Sequence, residues 1–187
     1  MFTHYEFVTH WRAKATCEEV SEVLSDALAL KGWWPSVYLD VTELKPGDPD
    51  TGVGREIALY TPGWLPYTLR WTFTVTENRR PHGFTLIPHG DFEGSGVWTF
   101  TQDGEWCDIR YDWRIEARKP LLRLLSPVMK PILAANHRWA MARGEESLRL
   151  ELERRHAPDE AARARVPAPP QPTFRGPHRE HRRTFGA

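Results

Sequence analysis

LLRLLSPVMKPILAANHRWAMARGEESLRLEL, residues 121–152, is the one long stretch of this chain with helical periodicity, and its reading decides the fold. At 100° per residue Met129, Leu133, His137, Ala140, Gly144 and Leu148 fall on one side, while Arg138, Glu145, Glu146 and Arg149 fall away from it. Such a helix lies with one flank on an apolar surface. Pro127 and Pro131 do not belong deep inside a regular helix, so its regular part is expected to start near Pro131 and run about 22 residues, roughly 33 Å. That length crosses a whole sheet.

The residues before it supply the sheet. In residues 3–12, Tyr5, Phe7, Thr9 and Trp11 alternate with His4, Glu6, His10 and Arg12, the pattern of a half-buried strand. Thr16 caps a short helix, Glu19 completes a capping box, and Val20, Val23, Leu24 and Ala27 keep helical spacing. A second helical turn, Ala27 to Lys31, stops at Gly32, and Trp33, Trp34 and Pro35 turn the chain into a strand near Val37 to Leu44. Further strands are expected at 53–61, 69–76, 84–90, 97–101 and 107–117, separated by turn signals. In the last of them Ile109, Tyr111, Trp113 and Ile115 face one way, and Asp108, Arg110, Asp112 and Arg114 the other. A twisted antiparallel sheet with one apolar face must be covered, and the long helix carries the matching stripe.

The order strand, two short helices, a meander of strands and a long C-terminal helix resembles the helix-grip fold of the START-like (SRPBCC) superfamily. Locally the wording is similar to its polyketide cyclase/dehydrase and lipid-transport branch: WWPSV at 33–37, LPYTLRW at 65–71, GDFEGSGVW at 90–98, and Asn136, His137, Met141, Gly144 and Leu148 in the helix. The resemblance covers residues 3–152. It implies an α+β fold, a curved antiparallel sheet of about seven strands around the long helix, with a cavity between them. The inward, ligand-facing residues would be Phe7, Trp11, Leu69, Trp71, Phe73, Trp98, Phe100, Tyr111, Trp113, Leu133, His137 and Ala140. The alternative is that these rings simply fill the interior.

Composition bounds the rest. At 187 residues, 40% apolar and 12% aromatic, the chain suits one well-buried domain, expected over 1–155. Eight of the nine Trp precede residue 120, which suits a deep cavity and a thick core equally. The formal net charge of zero hides a division: after His156 six Arg stand against Asp159, Glu160 and Glu180, so 156–187 carries +3 and the domain −3. That Pro- and Arg-rich tail is expected to be disordered, with at most weak anionic contacts. Cys17 and Cys107 have neither a disulfide-framework pattern nor metal-ligand spacing, although one bridge between them stays open. The N-terminus alternates instead of forming a basic flank and apolar run, and no apolar run approaches about 18 residues. A cytoplasmic protein is expected.

For chemistry, His137 is the first candidate. It sits mid-helix on the inward face, where an imidazole hydrogen-bonds a ligand, acts as acid or base, or is a satisfied core residue. Asn136 beside it points sideways, towards backbone at a helix or sheet edge. Asp91 and Glu93 share a strand face, and His89 with Asp91 makes an H-x-D pair, but no third ligand has metal spacing, and His4 and His10 lie about 20 Å apart. Neither metal nor cofactor is expected, for the P-loop, dinucleotide and G-x-S-x-G patterns are missing. The loop Tyr60 to Tyr67, stiffened by Pro62 and Pro66, reads as a fixed rim. Three functions remain: a carrier or sensor of a small hydrophobic lipid, polyketide or aromatic metabolite; a cyclase or aromatase using His137 and Tyr111 or Arg70; and an interaction module working through its tail.

Overall fold

In the computed structural model, which describes residues 4–64, 68–90, 92–117 and 126–174, the chain runs β1 (His4–Ala13), α1 (Cys17–Ser25), a 3-10 turn (Ala27–Ala29) and α2 (Leu30–Trp33). There follow β2 (Asp40–Lys45), β3 (Glu56–Pro62), β4 (Thr68–Asn78), β5 (Gly83–Gly90), β6 (Phe92–Asp103), β7 (Trp106–Ala117), α3 (Ser126–His156) and α4 (Glu160–Arg165). The strands form one antiparallel sheet in the order β1-β7-β6-β5-β4-β3-β2. The fold is the helix grip expected from the sequence.

Alternation sets its two faces. On β7, Cys107, Ile109, Tyr111, Trp113 and Ile115 are buried, while on the other face Arg110 holds Asp112 through two bonds of 2.8 and 2.7 Å and Arg114 donates to Glu6 at 2.7 Å. At α1 the capping box forms as read: Glu19 N donates to Thr16 Oγ1, and Thr16 N to Glu19 Oε2. The helix then drives Val20 and Val23, both at 0% exposure, into the core.

Four elements depart by three residues or more from the expected bounds, β3 among them, which begins at Glu56 and not Val53 after a turn in which Arg55 N donates to Gly52 O at 3.1 Å. β6 begins at Phe92 and not near Val97, because pairing with β7 runs on to Phe92↔Ala117. Gly94 permits it: its φ is +141°, and a Cβ there would stand 2.0 Å from Arg114 O. β2 begins at Asp40, three residues late, because the N–H groups of Val37 and Tyr38 both turn back onto Trp34 O. α3 begins at Ser126, with Pro131 inside it. Pro127 lies in the first turn, where no N–H has a helical acceptor, and Pro131 forfeits one bond a turn later. The side chain of Met129 lies outside the described residues.

The tail also departs from expectation in its first part. Asp159 Oδ1 caps α4 by accepting from Ala162 N at 2.7 Å, and α4 packs on α3. Arg154 Nη2 donates to Pro167 O. Thr173 Oγ1 reaches Gly63 O at 3.4 Å, so residues 157–173 run back along α3. Leu150, 200° round the helix from Leu148, is nevertheless only 3% exposed. Residues 175–187 lie outside the described ones.

Candidate functional site

The cover over the concave face comes from two sources, and they leave space between them. α1 and α2 close one end; α3 closes the other, its Gly144 seated so tightly under Trp34 that a Cβ would stand 2.2 Å from Trp34 Cζ2. Beneath lie two adjoining hollows. The first, of about 120 Å³, is walled by Leu24, Leu30, Phe73, Phe84, Leu86 and Trp98, with Ser25, Thr51, Arg55 and Asn78 at its edge. The second, of about 130 Å³, is walled by Phe7, Leu69, Trp113, Ile115, Leu133, His137 and Ala140. Trp34, Tyr38, Trp71, Tyr111 and Met141 line both and so form a waist.

Most of the candidate residues come together here: Phe7, Leu69, Trp71, Phe73, Trp98, Tyr111, Trp113, Leu133, His137 and Ala140 each line a lobe. Trp11 and Phe100 line neither. Trp11 packs against Trp34 and Trp98 at 5.5 and 5.4 Å, and Phe100, at 2% exposure, sits against Phe84 at 6.2 Å. Both point inward, but towards the end that α1 fills. Tyr38 and Trp34 were missed by the sequence reading, which ran a strand through Val37 and Tyr38. Two Trp followed by Pro is the signal that the irregular segment continues.

His137 spans helix and sheet. Its ring stacks on Phe7, centroids 4.4 Å apart at 17°, and Nε2 lies 3.4 Å from Thr9 Oγ1. Burial, with a smaller contribution from the Arg138 charge, pushes its pKa down to about 4. Near pH 7 the imidazole is therefore neutral, with one nitrogen donating and one accepting. Asn136 bonds backbone, as expected: its Oδ1 accepts from Trp64 N at 2.9 Å, which pins the end of β3 beside the second lobe. Residues 65–67 and Asp91 lie outside the described residues, and with them the rim loop beyond Trp64 and both pairings of Asp91.

Apart from Arg55 at the edge of the first lobe, the charged groups are elsewhere. Arg70 is on the outer face, its guanidinium 4.8 Å from the Tyr60 ring centroid, beside a shallow hollow of about 340 Å³ that Asp40 and His89 also line. Cys17 and Cys107 do meet, as free thiols with Sγ atoms 3.3 Å apart, in the filled end away from both lobes. Burial and the Cys17 sulfur raise the pKa of Cys107.

A family model described as polyketide cyclase / dehydrase and lipid transport matches residues 6–153. The chain belongs to this family. Solved structures agree with it in fold. The Zhui aromatase/cyclase from a Streptomyces species superposes with a TM-score of 0.63 at 18% identity, over 83% of this chain and 96% of that one. A Thermus thermophilus protein gives 0.62 at 18% identity, over 77% and 97%. Norcoclaurine synthase from Thalictrum flavum, in complex with dopamine and hydroxybenzaldehyde, gives 0.55 at 14%, over 84% and 91%. At such identities the likeness is one of fold. No curated protein matches the sequence. Among the described residues no helix is long and apolar enough to cross a membrane.

Proposed function

We propose that this protein binds a small, largely apolar molecule between the sheet and α3, as a carrier or sensor. One observation supports the reading above the rest: an aromatic-walled space at the centre of the domain, with the sheet's ion pairs on the opposite face. Binding there needs shape and apolar area, and the walls provide both. The partly filled interior favours a ligand of modest size. Native mass spectrometry of the protein purified from its own host, followed by organic extraction, tests this directly. A near-stoichiometric apolar molecule supports the proposal. An empty protein whose Trp fluorescence also fails to respond to one- and two-ring aromatic compounds overturns it.

A second reading, a cyclase-like enzyme in the same space, is favoured by polar side chains on its walls, among them His137, Tyr38 and Tyr111. Held neutral, His137 has the protonation state of a general base and lies on the second lobe. Incubation of the extracted ligand, or of a poly-β-ketone analogue, with the protein and with His137→Leu separates the readings. Turnover by the wild type that the variant lacks supports the enzyme; unchanged ligand recovered from both supports the carrier.

A further inference from the structure

Two phenols, Tyr38 and Tyr111, line both lobes and so stand at the waist of the cavity. Tyr111 is clasped between Trp98, whose centroid is 4.1 Å away at 17°, and Trp113, 5.6 Å away at 24°. Gly96 leaves room for its hydroxyl, since a Cβ there would stand 2.8 Å from Oη. Tyr38 is set edge-on to Trp34, centroids 5.2 Å apart. Among the described residues neither Oη has a hydrogen-bond partner, yet neither is sealed from the cavity as the indole nitrogens of Trp33 and Trp34 are. Burial raises both pKa values, and Tyr38 raises that of Tyr111 further, so each remains an O–H donor at any ordinary pH. Tyr111 is buried and Tyr38 half-buried; donors so placed with nothing to give to are costly, and an acceptor brought from outside relieves that cost.

Size narrows what brings it. Lobes of about 120 and 130 Å³ compare with the roughly 150 Å³ of an apolar cavity that takes up benzene. Each lobe accordingly holds about one ring or its aliphatic equivalent. A two-chain lipid is too large for this space. A carbonyl oxygen carries two lone pairs and so accepts from two donors at once.

We propose that the two lobes form a single site for a ligand with two ring-sized apolar halves joined through a carbonyl group, whose oxygen accepts hydrogen bonds from Tyr38 and Tyr111 at the waist. This rests on the ligand-cavity reading above and gives it a substrate class: aryl or cyclic ketones, with the polar atom in the middle and not at an end.

Benzophenone and diphenylmethane test it, being two rings joined with and without the oxygen. Equilibrium dialysis of each against the full chain should show the ketone held about tenfold more tightly. In Tyr38→Phe, Tyr111→Phe and the double variant, the ratio should fall stepwise towards one, with circular dichroism showing that each is folded. Illumination of the benzophenone complex attaches the carbonyl carbon to the nearest C–H, which should be found by peptide mapping at Met141. Equal affinity for the two probes in the wild type, a ratio that the Phe variants leave unchanged, or labelling confined to exposed residues such as Trp64 overturns the inference while the cavity reading stands. Binding of neither probe overturns both.

Discussion

Along the single strand β7, Cys107 and Ile109 are packed solid at 0% and 2% exposure, whereas Tyr111 and Trp113, the next two inward positions, border open space. The same contrast runs through β6, where Phe100 is core and Trp98 is wall. The strands themselves are continuous, so the difference comes from what covers them. α1 brings branched Val20 and Val23 at full burial, which interdigitate with the rings below. α3 crosses the other end with Ala140 and the half-buried Leu133 and His137, and its Gly144 sits under Trp34. The first lobe lies under the end of α1 and under α2, the second under α3, so the hollow opens where the two covers adjoin.

Truncation at the filled end should have the largest effect. Phe100→Ala is expected to lower the unfolding free energy by about 3–5 kcal/mol, since a void opens where packing is complete; urea denaturation measures it. A loss below about 1 kcal/mol would show that this end is as loose as the other. Next comes pH. An unfolded imidazole gains its proton near 6.5, the buried His137 only near 4. Stability is therefore full above pH 6.5 and falls as pH drops towards 4. Between pH 7 and pH 5 this amounts to about 2 kcal/mol. His137→Leu should remove that slope and otherwise stay within about 1 kcal/mol of wild type at pH 7. Parallel slopes in the two proteins would place His137 in contact with solvent.

Smaller effects sharpen the comparison. Gly144→Ala pushes a methyl group against a fixed indole, an overpacking cost of about 1–3 kcal/mol offset by roughly 1 kcal/mol of helix propensity, so a net loss of about 1 kcal/mol is expected. Gly63→Ala, whose Cβ would stand 2.2 Å from Asn136 Oδ1, should cost about as much, but by another route: the Asn136 side chain swings aside and gives up its bond to Trp64 N. Asn136→Ala made in the Gly63→Ala background should then cost almost nothing further, and a double-mutant cycle reads this. Smallest of all is Leu133→Ala. Its side chain borders space already present, so thermal unfolding should register less than about 1 kcal/mol, against the loss at Phe100.

Which strands exist, which face of each is apolar, the capping box at Thr16 and the inward side of the long helix were all legible in the residues, because each is a local property of exposure repeated at a fixed period. Strand parity correctly put Arg70 outside and Tyr111 inside. Parity could not separate Trp11 and Phe100 from Trp98 and Tyr111, for all four are inward, and only the covering helix makes one pair core and the other wall. Tyr38 escaped for a related reason: it lies in an irregular segment whose backbone bonds, from Val37 and Tyr38 to Trp34 O, carry no period. The first part of the tail was misread because its composition is that of a solvated chain. Its place beside α3 depends on a few specific bonds.

By itself, then, the sequence determined the helix grip: alternation and a helical stripe are one-body signals, each residue recording whether it meets water. The cavity, its waist of two phenols, the neutral state of His137 and the return of the chain along α3 were decided by tertiary structure alone. Empty space is the mismatch between two surfaces that the sequence specifies separately, and it exists only once they are set against each other.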